Sequence, residues 1–237
     1  LANDYQQSVY GTTVFRNGTA VPLGAAFVRE TTIFREFGPL SGDTMRLSME
    51  YSPKIGDSLT NTTADVDVRK YFRIGGTGLL ALRAKGYKSW GDDPNFFYFG
   101  GNSELRGYDY LQFAGNEGFF ANAELRFPLV QAFLTPIGVL GGIRGSFFAG
   151  IGGAKFEGVP YTFSTSKDEA YRPIVGYEFD PVIGYLPVYG PEQTITGFRL
   201  RDGRASYGVG LQTFALGFPI HFDWSWRTLF NKQWEDS

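Results

Sequence analysis

The stretch FFANAELRF, residues 119–127, decides the fold. Every second residue in it is apolar, and the residues between are largely polar, with Glu124 and Arg126 in this second set. Side chains alternate between the two faces of a strand, so the pattern predicts a strand with one apolar and one charged face. Its length, about nine residues, is what a tilted membrane-spanning strand needs.

The same two-residue period recurs along the chain. It is clear in residues 44–52, 64–69 and 220–227, where polar and charged residues share one face. Aromatic residues gather near the strand ends, as Trp224 and Trp226 do, which is typical of the interfacial girdle of membrane barrels. From the period and the turn-forming residues we predict strands over residues 4–15, 24–36, 43–53, 61–74, 78–90, 116–128, 140–155, 204–216 and 219–228.

Composition narrows the classes of function. The chain has 22 basic and 24 acidic residues, and nucleic-acid binding needs a basic excess, so we expect no nucleic-acid partner. The absence of cysteine excludes disulfides, thiolate metal sites and cysteine nucleophiles. No apolar run approaches the roughly 18–20 residues of a transmembrane helix, and residues 1–10 lack the pattern of a signal peptide.

These features predict an all-β protein, an antiparallel transmembrane β-barrel. A soluble β-sandwich, which also alternates but buries its apolar face, is the alternative interpretation. The barrel is favoured because the runs are long for soluble strands and because neighbouring inward positions, such as Glu124 and Arg126, carry charges of both signs. The sandwich would require Met45, Leu125 and Trp224 to lie in a dry interior.

Two long connections, residues 91–115 and 156–203, contrast with the short turns elsewhere. Outer-membrane barrels have short periplasmic turns and long external loops, so both connections are predicted to face outward. We interpret residues 1–237 as one outer-membrane β-barrel domain. Since the predicted strands are few and odd in number, we expect further N-terminal strands and a last C-terminal strand outside this sequence.

A glycine-rich segment carries a resemblance to a known family. Residues 100–108 read GGNSELRGY, and residues 121–128, ANAELRFP, form the strand that follows. Together they resemble the C-terminal barrel of the outer-membrane protein assembly superfamily, the BamA and TamA group, also called the bacterial surface antigen family. The resemblance is close over residues 96–127 and looser from there to the end of the chain.

The resemblance implies a barrel of about 16 strands and a loop that folds back into its lumen. Leu105, Arg106, Gly107 and Tyr108 match the motif of that loop, and Glu124 matches an inward glutamate on the next strand. A guanidinium taken out of water needs carboxylate or carbonyl partners. We therefore expect Arg106 to pair with Glu124.

One position departs from the family pattern. Where the family carries an inward aspartate, near Phe-x-x-Asp-x-Gly, residues 147–152 read FFAGIG, so Gly150 takes the place of the aspartate. We therefore expect the loop to be held more weakly, or differently, than in the assembly factors.

The resemblance implies a protein that aids the insertion or secretion of outer-membrane polypeptides in the bacterial outer membrane. The alternative is a structural anchor or pore for a periplasmic domain or complex, without insertase activity. Expected partners are the lipid bilayer of the outer membrane and either client outer-membrane polypeptides or periplasmic proteins. We expect neither enzyme activity nor a cofactor or metal, because His221, Asp65 and Asp67 read better as structural residues of a lumen.

Overall fold

The computed structural model describes residues 18–35, 38–130, 133–135, 138–140, 142–215 and 218–236. The predicted strand over residues 4–15 lies outside this part of the chain. Two compact units are present. The first, here called the wall unit, comprises Leu1–Pro160 and Ala205–Arg227, and the second, the loop unit, comprises Tyr161–Arg204 and Thr228–Ser237.

Strands make up 65% of the described structure and helix only 2%. In chain order the elements are β1 (Leu23–Glu30), β2 (Ile33–Arg35), β3 (Gly38–Ser52), β4 (Asn61–Ile74), β5 (Gly78–Trp90), β6 (Phe97–Phe99), β7 (Phe113–Gly115), β8 (Glu117–Val130), β9 (Phe133–Thr135), β10 (Gly138–Leu140), β11 (Ile143–Lys155), β12 (Ser164–Thr165), β13 (Glu169–Tyr171), β14 (Ile174–Asp180), β15 (Gly184–Tyr189), β16 (Gln193–Ile195), β17 (Arg199–Leu200), β18 (Arg204–Ala215), β19 (Phe218–Thr228) and α1 (Lys232–Glu235).

The long strands form one sheet in the order β1, β3, β4, β5, β8, β11, β18 and β19, and β2 also pairs with β3. Pairing is antiparallel from β1 through β11. The predicted strands over 61–74 and 78–90 coincide with β4 and β5. The predicted all-β antiparallel class is confirmed, because strands with period-two patterning pair with their neighbours in sequence.

One predicted strand, over residues 24–36, is in fact two. β1 and β2 both pair with β3, and the strand is interrupted between them at Thr31 and Thr32. Gly42 lies opposite this break with φ +105°, and a Cβ there would come 2.4 Å from the carbonyl oxygen of Thr31. The break is thus a local irregularity that a glycine on the partner strand makes possible.

The sheet exposes many of its large apolar side chains, while Glu124 and Arg126 are partly covered. Of the three residues that separate the two interpretations, Trp224 is exposed, Met45 and Leu125 are half-buried, and none is fully buried. Met49 is 57% exposed and Trp224 51% exposed, whereas the side chain of Glu124 is 16% exposed. Soluble proteins rarely expose so extended an apolar surface. The arrangement is what lipid on one face and an aqueous, ion-paired lumen on the other require, and the soluble-sandwich alternative is wrong.

The buried core of the wall unit lies on the inward face. Phe97, Phe99, Leu105, Tyr108 and Phe120 form a single buried cluster, in which the first four come from the connection between β5 and β8. The ring centroids of Phe99 and Phe120 are 5.4 Å apart. The long connection over 91–115 therefore packs its aromatic residues against the inside of the sheet, where they are removed from water.

The loop unit holds the second long connection and the end of the chain. Three strand pairs build it: β12 with β17, β13 with β16, and β14 with β15. Arg199 is fully buried, its Nη2 lies 3.0 Å from Glu169 Oε2, and its guanidinium lies 5.0 Å from the ring of Trp234. At the tip of the β14–β15 hairpin, backbone N–H groups of Val182 and Ile183 donate to Asp180 and hold the pKa of that carboxyl below its usual value.

Within the described ranges, no helix has the length and apolar character needed to cross a bilayer.

The inside-out distribution of side chains yields a prediction on β3. Leu47 points outward, where it is 38% exposed, and its neighbour Ser48 is paired with Asp65. Leu47→Arg should destabilise the folded protein in liposomes by about 2–4 kcal/mol, because it places a charge in lipid. Ser48→Arg should have a much smaller effect, since its charge enters the lumen beside a carboxylate. Urea titrations of folding in liposomes measure both, and equal effects would contradict the assigned faces.

Candidate functional site

The segment between β6 and β7, residues 100–112, is here called the motif loop. Antiparallel pairing of Phe97 with Gly115 and of Phe99 with Phe113 closes its base. A carboxylate of the loop itself, Glu104, accepts a hydrogen bond of 2.8 Å from the N–H of Gly100. The loop is therefore a compact folded structure of its own rather than an irregular connection.

Two motif residues anchor the loop by burial. Leu105 is fully buried, and Tyr108 is 7% exposed. The hydroxyl of Tyr108 donates to the carbonyl oxygen of Ala205 on β18 at 3.1 Å. Gly107 between them has φ +86°, a left-handed conformation that favours glycine. This backbone lets the residues on either side of Gly107 meet different strands of the sheet.

Arg106 reaches two carboxylates on different strands. Its Nη2 lies 2.9 Å from Glu124 Oε2 on β8, and its Nε lies 3.6 Å from Asp223 Oδ2 on β19. The Nε also donates to the carbonyl oxygen of Asn102 at 3.2 Å. Its guanidinium lies 4.3 Å from the ring of Phe148, whose face attracts a cation. A mostly covered positive charge is thus compensated from several directions.

Glu124 forms ion pairs with two arginines. Besides Arg106, it binds Arg126 on its own strand, with 3.0 Å between Arg126 Nε and Glu124 Oε1. The structure thus brings together Arg106 and Glu124, the two residues that the resemblance pairs. Since a carboxylate offers about four lone-pair sites, Glu124 can bind both arginines at once.

Gly150 lies directly under the loop. A Cβ added there would come 2.9 Å from Leu105 Cδ1 and 2.7 Å from Asn122 Oδ1. The glycine therefore makes room for the buried leucine of the motif. The family pattern places a second carboxylate on this strand; here the second carboxylate near Arg106 is Asp223 on β19, 3.6 Å from its Nε.

Three residues that contact the loop were not predicted as site residues. Arg227 on β19 donates from Nε to the carbonyl oxygen of Gly107 at 2.6 Å, and its guanidinium lies 4.7 Å from the ring of Tyr108. Arg83 on β5 donates to the carbonyl oxygen of Ser103 at 3.4 Å. Asp223 is the third. Their only sequence signal is a polar position on an alternating strand, which does not reveal a partner 20 residues away, as for Arg83, or about 120 residues away, as for Asp223 and Arg227.

A polar cavity of about 250 Å³ lies between the loop and the sheet, lined among others by Arg83, Asn102, Arg106, Asn122, Glu124 and Gly150. Elsewhere on the sheet, Asp65 binds Lys85 at 3.5 Å and Asp67 binds Arg83 at 2.8 Å. In the part of the chain that the structure describes, no group of three or more His, Cys, Asp or Glu residues could hold a metal ion. The chemistry of the site is ion pairing and hydrogen bonding.

The shared role of Glu124 predicts the effect of removing its charge. Glu124→Gln leaves two covered guanidiniums with a neutral partner and should destabilise the wall unit by about 1.5–3 kcal/mol. Glu117→Gln, on the same strand, is the matched control: Glu117 is 40% exposed and pairs with Lys88 and Lys155 at 3.3 and 3.4 Å. Such exposed pairs contribute about 0–1 kcal/mol. Chemical denaturation in lipid compares them, and a larger loss for the control would refute the assignment.

Comparison with known proteins agrees with this geometry. No curated protein matched the chain. The family model described as the Omp85 superfamily domain matches residues 16–237, which is nearly the whole chain. Proteins of this superfamily are outer-membrane β-barrels, and the resemblance found in the sequence around Arg106 is confirmed. The chain belongs to the Omp85 superfamily of outer-membrane assembly and translocation proteins.

Proposed function

We propose that this chain is the barrel of an outer-membrane factor that aids the insertion or secretion of other outer-membrane polypeptides. Membership of the Omp85 superfamily supports this proposal. The observation that carries it is the position of Arg106, which lies between Glu124 of β8 and Asp223 of β19. The loop that bears the family motif is thereby docked inside the wall by its arginine.

The contacts of the motif loop suit a part that changes position. Ion pairs and hydrogen bonds to a carboxylate can be exchanged for water, whereas a fully apolar contact has no such alternative partner. Arg106 is 21% exposed at its side chain, so water can reach it. We infer that water can replace the ion pairs of Arg106 at moderate free energy while a client polypeptide is handled, and that release of the whole loop costs more because it also exposes Leu105 and Tyr108.

The work of the protein is non-covalent in this proposal. It acts by binding and by conformational change, without an enzymatic reaction, cofactor or metal. Its partners are the lipid bilayer of the outer membrane, along the exposed apolar face of the sheet, and client polypeptides or periplasmic proteins. The apolar band that includes Met49 and Trp224 supports the bilayer as a partner.

A structural anchor or pore without insertase activity is the alternative. Gly150, in the place of the family aspartate, favoured it by suggesting a weakened hold on Arg106. Since Asp223 supplies a second carboxylate at 3.6 Å, that weakening does not follow. The assembly function is therefore the better supported of the two.

Substitution of Arg106 separates the two functions. In the full-length protein in its own cell, Arg106→Ala should lower the levels of other folded outer-membrane barrels several-fold, because the loop loses both charged partners. Arg106→Lys should be partly defective, since an ammonium lacks the fork that serves two acids. Arg73→Ala is the control: Arg73 donates to the carbonyl oxygen of Gly76 in a turn at the end of β4.

Quantitative immunoblots of heat-modifiable barrels, with the level of this protein itself as reference, give the measurement. Normal levels of other barrels with Arg106→Ala, at a normal level of the variant itself, would instead support the anchor.

A further inference from the structure

β19 meets the motif loop over the C-terminal half of its inward face. Three alternate residues do so: Asp223 ion-pairs with Arg106, Ser225 packs at Gly107, and Arg227 donates to the Gly107 carbonyl oxygen. The fit at the middle contact is close, because a Cβ on Gly107 would lie 3.0 Å from Ser225 Oγ. Alternate residues of a strand share one face, so the three contacts form a continuous docking line.

Contacts across this line run in both directions. Arg106 extends from the loop to a carboxylate on the strand, and Arg227 extends from the strand to a carbonyl oxygen of the loop. The ring of Tyr108 lies under the guanidinium of Arg227 at 4.7 Å. Because both ends of a three-residue segment are held, the segment cannot pivot about a single bond to β19.

The loop is also held to β8, on the far side of two strands. In the sheet, β11 and β18 lie between β8 and β19. Neighbouring strands are about 4.8 Å apart, so β8 and β19 would be about 14 Å apart in a flat sheet. One guanidinium nevertheless contacts Glu124 and Asp223. We infer that the sheet curves towards the loop and that Arg106 spans this curve.

Gly150 on β11 explains why the second carboxylate near Arg106 comes from β19, which β11 and β18 separate from β8. Leu105 occupies the space that any side chain at this position would need. A carboxylate at position 150 would therefore require the side chains of Leu105 and Asn122 to shift. With the acid on β19 instead, Leu105 stays buried. Arg106 then joins β8 to β19, which are three positions apart in the sheet, whereas β8 and β11 are adjacent.

We propose that Asp223 and Arg227 are positioning residues that latch the motif loop to β19, so that the loop is a strut between β8 and β19. Releasing the latch frees β19 to move relative to β8 and changes the curvature of the wall. The strut is a mechanical property of the barrel, whereas its use during assembly of a client rests on the proposed function.

The absence of cysteine from the sequence allows a clean test. Leu105→Cys introduces the only cysteine within residues 1–237 and places it in the buried cluster, where it behaves as a small apolar residue. Mass spectrometry of the peptide that contains residue 105 measures the labelling of this thiol alone. In full-length protein in native outer membranes, N-ethylmaleimide should react slowly with this thiol while the loop is docked. Adding Asp223→Asn should speed the reaction about fivefold, an effect between those of an exposed ion pair and a covered one.

Two variants make the comparison specific. Asp65→Asn, which removes another ion-paired carboxylate of the sheet, should change the labelling rate less than about twofold. Asp223→Glu, which restores the charge, should return the rate most of the way to that of the parent. A structural defect at Asp223 that did not depend on charge would not be rescued in this way.

A double-mutant cycle identifies the partner. In an Arg106→Gln background, Asp223→Asn should add less than about twofold, because residues that act as a pair are not additive. Hydrogen exchange of the peptide over residues 100–112, measured without the reporter cysteine, should show the same order of variants. Because hydrogen exchange needs no cysteine, this second measurement can be made even if Leu105→Cys fails to fold.

The latch is overturned if Asp223→Asn labels as slowly as the parent, or if its effect is undiminished in the Arg106→Gln background. The proposed function fails separately: Asp223→Asn would then release the loop by both measurements while other outer-membrane barrels assemble at normal levels. If Asp223→Asn both labels faster and lowers the levels of other outer-membrane barrels, the result supports the latch and the proposed function.

Discussion

Arg106 carries a charge that cannot be neutralised by loss of a proton, and its side chain lies in a partly covered space where it is 21% exposed. Such a charge is stable there only if acceptors surround it, and a single carboxylate leaves most of its donors unsatisfied. The two acids, the carbonyl oxygen of Asn102 and the ring of Phe148 compensate most of this charge, and Nη1 is the one nitrogen of the guanidinium that is buried without a hydrogen-bond partner among the described residues. These compensating groups belong to the loop and to three strands, so the requirement of one side chain fixes how the loop lies against the wall.

Elsewhere on the inward face of the sheet, charged side chains also form ion pairs with nearby residues of opposite charge. Asp67 binds Arg69 and Arg83 at 2.9 and 2.8 Å, and Asp65 binds Lys85. Charges on the inward face are thus paired with neighbours on the same or the adjacent strand, which a wet, polar lumen tolerates well. The apolar side chains have no such partners on their side and face outward. Separation of the two kinds of residue produces the inside-out pattern that distinguishes this sheet from a soluble sandwich.

Local rules predicted the strands and the faces of the sheet. Alternation is set by backbone geometry alone, so the bounds of β4 and β5, residues 61–74 and 78–90, could be predicted from the sequence. The motif residues and Glu124 could be identified as well, because they lie within one short stretch and resemble a known family. Where a local rule was insufficient, as at the break between β1 and β2, the cause was a glycine on the partner strand, Gly42.

By itself the sequence determined the long strands of the sheet and their inward and outward faces, because alternation depends on neighbours within a few residues, and the family resemblance singled out the arginine that needs compensation. The short strands β6, β7 and β12–β17 lie inside the two long connections, residues 91–115 and 156–203, and were not predicted. The tertiary structure alone decided which second acid compensates that arginine. Asp223 becomes that partner because the sheet curves and because Leu105 fills the space beside Gly150, and both effects join residues far apart in the chain. The curvature of the sheet and the packing of Leu105 depend on contacts among several strands, so they cannot be predicted from any single stretch of sequence.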